Sequence, residues 1–276
     1  MRGSLAAELL KLRKRPATWV LGLVLVVGVL LFYLLLYAGL LLSEGTDDPT
    51  GAQVLRNILA PAGSLSFVVS LLAGLGGPVA LILGALTSGS EYGWATLKTM
   101  LVQSPARLTI FAAKVTALGI VLAIFVLLSL AVGMAMSYLM AIIADLPRNV
   151  PGVSDILQGV GAGLLISAAW SSVGFGLGVL LRGTALAIGL GLVYAIIIEN
   201  IIGIVSVFVR LVRTLSEGLL GPNAGALASS IGGAVTDPNQ PQGATIGTTQ
   251  AIVALLLYLV VFLGSAAFVF NRRDMT

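Results

Sequence analysis

Long apolar runs, separated by short polar stretches, make up most of this chain. A helix needs about 20 apolar residues to cross the hydrocarbon core of a bilayer. Runs of about that length predict six transmembrane helices. They cover residues 17–42, 62–86, 115–144, 156–181, 183–199 and 250–270. Strict alternation of apolar and polar residues, which is typical of membrane β-barrels, is not the pattern here.

Residues 3–15 predict a short amphipathic helix ahead of the first run. Its leucines recur at helical spacing, and basic residues cover the rest of its surface. Pro16 then marks the turn into the bilayer. We expect this elbow helix to lie at the membrane interface, although a basic flank that only fixes topology would leave the same pattern. Its candidate interface residues are Leu5, Leu9, Lys11, Leu12, Arg13, Lys14 and Arg15.

Residues 200–235 are apolar but broken into pieces too short to span a membrane. They predict re-entrant helices that are shielded by protein, followed by an exposed loop at 236–249 that is rich in Pro, Asn, Gln and Gly. Glu199 and Asn200 stand where the fifth run gives way to this region. A carboxylate at that depth is a candidate functional group, or it simply marks the end of the helix.

Composition agrees with a membrane location. Hydrophobic residues make up 58% of the 276 residues and charged residues 9%, against about 25% charged in soluble domains. A soluble enzyme and a disordered chain are thereby excluded. The chain has no His and no Cys, so the commonest general base and thiol chemistry are absent. The expected fold class is an all-α polytopic membrane protein.

Charge distribution supports six helices with both termini in the cytoplasm. The predicted cytoplasmic side carries eleven Lys and Arg residues and three acidic residues. The other side carries four Arg residues and seven acidic residues. Positive charge is typical of cytoplasmic loops. The sequence therefore indicates a multi-pass protein whose two ends lie in the cytoplasm.

Glycines have different expected roles in two of the predicted helices. Small residues spaced by four, Gly159/Gly163 and Gly174/Gly178, predict close helix packing in the fourth helix, either within the chain or between two copies. We favour packing within the chain. In the second helix, Gly77 and Pro78 predict a kink, which is either a hinge or an ordinary bend.

The segment between the second and third helices is more ordered than a connector. Ser90 is a good helix cap, Glu91 suits the first turn, and Tyr92 and Trp94 give the helix an apolar side. The Ser104-Pro105 pair ends it. Such a helix either anchors aromatic side chains at the membrane interface or docks onto a partner protein.

Residues 91–114 resemble the loop after the second helix in permeases of type-2 ABC exporters, the drug, bacitracin and lantibiotic-immunity group. Residues 8–19 and 217–230 are similar to the opening and to the stretch before the last helix in that family. Ala95 stands where the family often has glycine. The matching positions of the loop are Glu91, Tyr92, Thr96, Leu97, Lys98, Leu101, Pro105, Arg107 and Lys114.

The resemblance implies the transmembrane subunit of an ATP-driven exporter in a bacterial or archaeal cytoplasmic membrane. A coupling helix at 91–102 would dock onto an ATPase subunit. Two ATPase subunits, carrying ATP and Mg²⁺, would act on two permeases, the second being a copy or a relative of this chain. The expected ATPase contacts are Glu91, Tyr92, Trp94, Thr96, Leu97, Lys98 and Leu101. The expected pathway or exit residues are Gly77, Pro78, Glu199 and Asn200.

The sequence has no G-x-x-x-x-G-K-[ST] loop to hold nucleotide phosphates, so we expect this chain to be non-catalytic and to bind no cofactor or metal. The expected substrate is a hydrophobic or amphipathic small molecule or peptide, not a nucleic acid. The main alternative is an ion- or proton-coupled secondary transporter, although no internal repeat supports it. An intramembrane enzyme is disfavoured because no nucleophile–histidine pair or aspartate dyad exists.

Overall fold

The structure, a computed structural model, describes residues 2–43, 49–93, 107–206, 208–231 and 246–272. Helices and two π-helical turns, Leu72–Gly76 and Val193–Ile198, make up nearly all of this part. The helices are α1 (Arg2–Lys14), α2 (Pro16–Ser43), α3 (Pro49–Leu59), α4 (Pro61–Leu71), α5 (Gly77–Gly93), α6 (Arg107–Ile143), α7 (Val153–Leu181), α8 (Thr184–Leu192), α9 (Glu199–Ser206), α10 (Arg210–Ser216), α11 (Leu220–Ser229) and α12 (Thr248–Arg272).

Six helices are long and apolar enough to cross a membrane, so the prediction of a multi-pass α-helical membrane protein is confirmed. These spans 1 to 6 are Pro16–Ser43, Pro61–Ser90, Leu108–Ile143, Val153–Leu181, Thr184–Ser206 and Thr248–Asn271. Span 5 extends beyond its predicted end. It continues through Glu199 to Ser206, because a π-helical turn, rather than a break, precedes that residue.

Span 4, formed by α7, is the central helix. Its most apolar window is 67% buried, whereas those of spans 5 and 6 are 6% and 11% buried. Spans 5 and 6 therefore present most of their leucines, isoleucines and valines outward. Side chains as apolar as lipid tails are stable there only in hydrocarbon or against another protein.

Glycines let α5 and α7 approach backbone to backbone. A Cβ on Gly174 would overlap the carbonyl oxygen of Leu81, and one on Gly84 would overlap that of Ser171. The Ser88 hydroxyl donates to the carbonyl of Phe175 at 2.9 Å across the same seam. The four glycines predicted to mediate packing all contact other helices of this chain, which confirms packing within the chain. Their neighbours are Leu65 for Gly159, Val126 and Leu72 for Gly163, Leu81 for Gly174, and Ser88 for Gly178.

Helix α1 lies at one end of the bundle, which we call the N-terminal face. Short helices gather at the opposite face. Helices α10 and α11 have 7 and 10 residues, too few to cross a bilayer, and the 8 residues of α9 form the end of span 5. Helix α11 is nevertheless buried, with Leu220, Ala224 and Ala228 fully covered. Most of the segment predicted to contain re-entrant helices is thus a series of short helices, and residues 232–235 lie outside the described part.

Candidate functional site

A cavity of about 490 Å³ opens among spans 2, 4 and 5 and helix α11, towards the opposite face. We call it the Glu199 cavity. Small and apolar residues form most of its wall, together with one carboxylate and one indole. The lining residues are Ser70, Ala73, Gly74, Pro78, Trp170, Ala195, Ile196, Glu199, Asn200, Gly221, Pro222 and Gly225. This volume falls within the range of sites for small organic molecules.

The wall from span 2 owes its shape to the first π-helical turn. Proline has no N–H, and its ring clashes with the carbonyl four residues earlier. Pro78 follows the turn Leu72–Gly76, where the helical hydrogen bonding changes. Gly77 then lies against Trp170, and a Cβ added to Gly77 would come within 2.7 Å of the indole nitrogen. The absence of a side chain at Gly77 therefore lets Trp170 reach the cavity.

The wall from span 5 owes its chemistry to the second π-helical turn. Residues five apart lie on nearly the same side of a π-helix. The turn Val193–Ile198 thus places the Tyr194 hydroxyl beside the Glu199 carboxylate, where the two side chains interact. The ring of Tyr194 also lies 6.3 Å from that of Trp170, centroid to centroid.

Glu199 and Tyr194 cap helix α11. The backbone N–H of Gly221 donates to Oε1 of Glu199 at 3.0 Å. The N–H of Leu220 donates to the Tyr194 hydroxyl at 3.4 Å. The first N–H groups of a helix have no partner within it, and the positive end of its dipole favours a carboxylate. Span 5 and α11 are therefore joined at the cavity.

A second tyrosine extends this junction to span 6. The hydroxyl oxygens of Tyr194 and Tyr258 are 3.4 Å apart. Tyr258 also donates to the carbonyl of Gly218 at 3.2 Å. The polar groups at the opposite face thus form one network that holds spans 5 and 6 to the loop before α11.

A buried ion-pair cluster ties α1 to span 3 at the N-terminal face. Glu8 is 5% exposed and Lys114 is 2% exposed. Oε1 of Glu8 lies 3.1 Å from the ammonium nitrogen of Lys114 and 2.8 Å from that of Lys11. A buried charge is tolerated when it is paired and hydrogen-bonded, so the cluster fixes α1 against the start of α6.

Arg15 ties the end of α1 to span 2. Its guanidinium donates to the carbonyl of Leu86 at 2.9 Å and to the hydroxyl of Ser90 at 2.6 Å. Trp19 adds a local bond, from its indole N–H to the carbonyl of Arg13 at 2.7 Å. Helix α1 therefore bridges the two helices, α5 and α6, that precede and follow residues 94–106.

Residues 63–276 match the family model described as a protein of unknown function (DUF2705). The chain belongs to the DUF2705 family. No curated protein matches the chain. The DUF2705 segment runs from α4 through span 6, so it contains the whole Glu199 cavity and Lys114. Helix α1 and span 1 precede it.

Three of the four residues predicted for the pathway or exit lie together in this DUF2705 segment. Pro78, Glu199 and Asn200 line the Glu199 cavity, and Gly77 lies behind Trp170. The Asn200 amide donates to the carbonyl of Ile196 at 2.7 Å. Sequence reasoning missed Trp170, Tyr194 and Gly221. A tryptophan within an apolar helix gives no sign of the space that it faces.

The elbow residues divide between protein and surface. Leu12 lies in the core, and Leu5 and Leu9 pack against it. Lys11 and Arg15 take part in the bonds described above, while Arg13 and Lys14 are exposed. The apolar side of α1 thus contacts the helix bundle. A helix that lay only in the membrane interface would instead turn its apolar side to lipid.

Most of the predicted coupling helix lies outside the described residues. Glu91 and Tyr92 belong to the last turn of α5, although their side chains are also outside the described part. Trp94, Thr96, Leu97, Lys98 and Leu101 fall within residues 94–106, which the structure does not describe. Across the described ranges there is no group of three or more His, Cys, Asp or Glu side chains that could share a metal ion.

Proposed function

We propose that this protein is the transmembrane subunit of an ATP-driven exporter. Two ATP-binding-cassette ATPase subunits would supply ATP hydrolysis with Mg²⁺, and a second permease, a copy or a relative, would complete the pathway. The support is the resemblance of residues 8–19, 91–114 and 217–230 to type-2 ABC permeases, the six spans, and the absence of a phosphate-binding loop from the sequence.

The observation that carries the proposal is the course of α5. This helix begins at Gly77, beside Pro78 in the cavity wall, and ends at Gly93, where the proposed coupling segment 91–102 is entered. Its 17 residues make a rod about 25 Å long at 1.5 Å per residue. A displacement at the coupling segment would therefore reach the Glu199 cavity through one helix.

Helix α1 would transmit that displacement to α6 as well, because it is bonded to both α5 and α6. Arg15 holds the end of α5, and Glu8 holds the start of α6. ATPase closure acting on residues 91–102 would thus move α1, α5 and α6 together. The π-helical turn at Leu72–Gly76 is the point at which α5 can change direction relative to α4, since its hydrogen bonding already departs from the α-helix.

The test is reconstitution of the chain with its candidate ATPase in liposomes. We expect Trp94→Ala to weaken ATPase binding by about tenfold or more, because tryptophans dominate the binding energy of docking surfaces. ATP-driven transport should fall with it. Leu108→Ala, at an exposed position in the first turn of α6, is the control and should behave as the wild type. Normal ATPase binding and transport by Trp94→Ala would refute the coupling role.

A secondary transporter is the second candidate, and Glu199 is the observation that favours it. A lone carboxylate in a cavity at membrane depth is typical of proton- and cation-coupled carriers. The same liposomes distinguish the two functions. Transport that requires an ion or proton gradient and proceeds without any ATPase would favour the carrier, whereas transport that requires ATP and the ATPase subunit would favour the exporter.

A further inference from the structure

The Glu199 cavity combines a carboxylate, an aromatic ring and apolar walls without a neutralising basic group. All of its lining residues belong to the described part of the chain, and among them Glu199 is the one ionisable side chain. A negative charge in a site of low dielectric favours a cationic ligand. The rest of the wall is small and largely apolar, including Ala73, Pro78 and Ile196.

Trp170 points to the same kind of ligand by an independent route. The side chain is 2% exposed and lines the cavity. Tryptophan attracts organic cations to the face of its ring.

We propose that the Glu199 cavity binds a lipophilic organic cation, such as an alkyl- or arylammonium compound, with the positive group at Glu199 and the apolar part against Trp170 and Pro78. In naming this cation as the transported substrate, the proposal rests on the proposed exporter function. The binding itself is independent of any ATPase. Glu199 then has two roles, since one of its oxygens caps α11 while the carboxylate keeps further acceptor positions for a ligand.

The two roles of Glu199 can be separated by one substitution. In Glu199→Gln, the amide oxygen can still accept the bond from Gly221, so the cap on α11 is preserved while the charge is removed. Glu217→Gln is the matched control. It removes a carboxylate from the same face, at a position outside the cavity lining.

The cavity can also be filled without disturbing the backbone. Gly225 lies in the cavity wall, and a Cβ built on it meets nothing within 4 Å. Gly225→Leu would therefore occupy the cavity from α11. Gly74→Leu would do the same from span 2, since Gly74 also lines the cavity and has no neighbour within 4 Å of a built Cβ. Gly161→Leu, at an equally open position of α7 outside the cavity, is the control.

The experiment is equilibrium binding of ethidium, an aromatic cation, to the purified chain in phosphatidylcholine nanodiscs without ATPase or nucleotide. We expect saturable binding to the wild type, Glu217→Gln and Gly161→Leu. Affinity should be at least about tenfold lower in Glu199→Gln, as for loss of one charge-assisted contact, and binding should be lost in Gly225→Leu. Gly74→Leu replaces Gly225→Leu if that variant does not fold. The anionic dye 8-anilinonaphthalene-1-sulfonate should not lose affinity in Glu199→Gln.

Two results would overturn the proposal. One is the absence of saturable ethidium binding to the folded wild-type chain. The other is equal affinity in the wild type, Glu199→Gln and the cavity-filling variant. A different result would refute the exporter function alone: ethidium binding that depends on Glu199, in a chain that binds no ATPase and transports without one.

Discussion

Glu8→Gln is expected to destabilise the folded protein by about 3–5 kcal/mol, the usual cost of breaking a buried ion pair by removing one partner. The glutamate lies between two ammonium groups, and Lys114 is almost completely buried. The amide cannot neutralise that charge. The measurement is the thermal unfolding of the purified protein in detergent micelles.

Lys11→Met provides the comparison within the same cluster. The Lys11 side chain is 30% exposed, and exposed ion pairs contribute about 1 kcal/mol or less. This variant should therefore unfold near the wild-type temperature. The double variant Glu8→Leu/Lys114→Met removes both buried charges and should be more stable than Glu8→Gln. Equal, small losses in Glu8→Gln and Lys11→Met would show that the cluster does not hold α1.

Gly174→Ala is expected to destabilise the protein by about 3 kcal/mol, at the upper end for overpacking. The added methyl group would overlap the carbonyl oxygen of Leu81. A flexible side chain could move away, but a backbone carbonyl moves only with its helix. The substitution therefore forces α5 and α7 apart along the seam that Gly84 and Ser88 also form.

Gly161→Ala in the same helix should have the opposite effect and stabilise the folded protein. A Cβ at Gly161 meets nothing within 4 Å, and alanine in a helix is about 0.5–1 kcal/mol more favourable than glycine. Thermal unfolding of the two variants, in parallel with the wild type, tests the prediction. If both variants unfolded at the wild-type temperature, the close approach of α5 and α7 would not contribute to stability.

The six spans were predictable because length and hydropathy are local properties of a sequence. Helix α3 was not predicted. It has 11 residues, including Thr, Gln, Arg and Asn, and short helices owe their stability to tertiary packing rather than to propensity. The carbonyl of Leu59, at its end, accepts a bond from the Ser137 hydroxyl at 2.7 Å. That partner lies 78 residues further along the chain, where no local pattern points to it.

The candidate site was predictable only in part. Pro78 and Glu199 stand out in the sequence because each is unusual inside an apolar run. Their meeting in one cavity depends on two π-helical turns. The first follows from glycine and proline, but the second, Val193–Ile198, contains neither residue. A turn without those markers, which brings Tyr194 to Glu199, has no signature that periodicity can detect.

The elbow leucines show a different limit. Their spacing correctly indicates one apolar face on α1. Lipid and protein interior are equally apolar, so the pattern does not tell which of them covers Leu5, Leu9 and Leu12. The burial of Leu12 against the bundle, together with the Glu8–Lys114 pair, is a long-range property that only the three-dimensional arrangement reveals.

The sequence separation of 106 positions between Glu8 and Lys114 has a consequence for biogenesis. Helix α1 leaves the ribosome before spans 1 and 2, yet its buried partner, Lys114, is synthesised only after both of them. Until span 3 is inserted, Glu8 and the leucines of α1 remain at the membrane surface. The basic residues Arg13 and Lys14 can bind the segment to anionic lipid there. Docking of α1 is therefore a late event in assembly, and it occurs only once spans 1, 2 and 3 are in place.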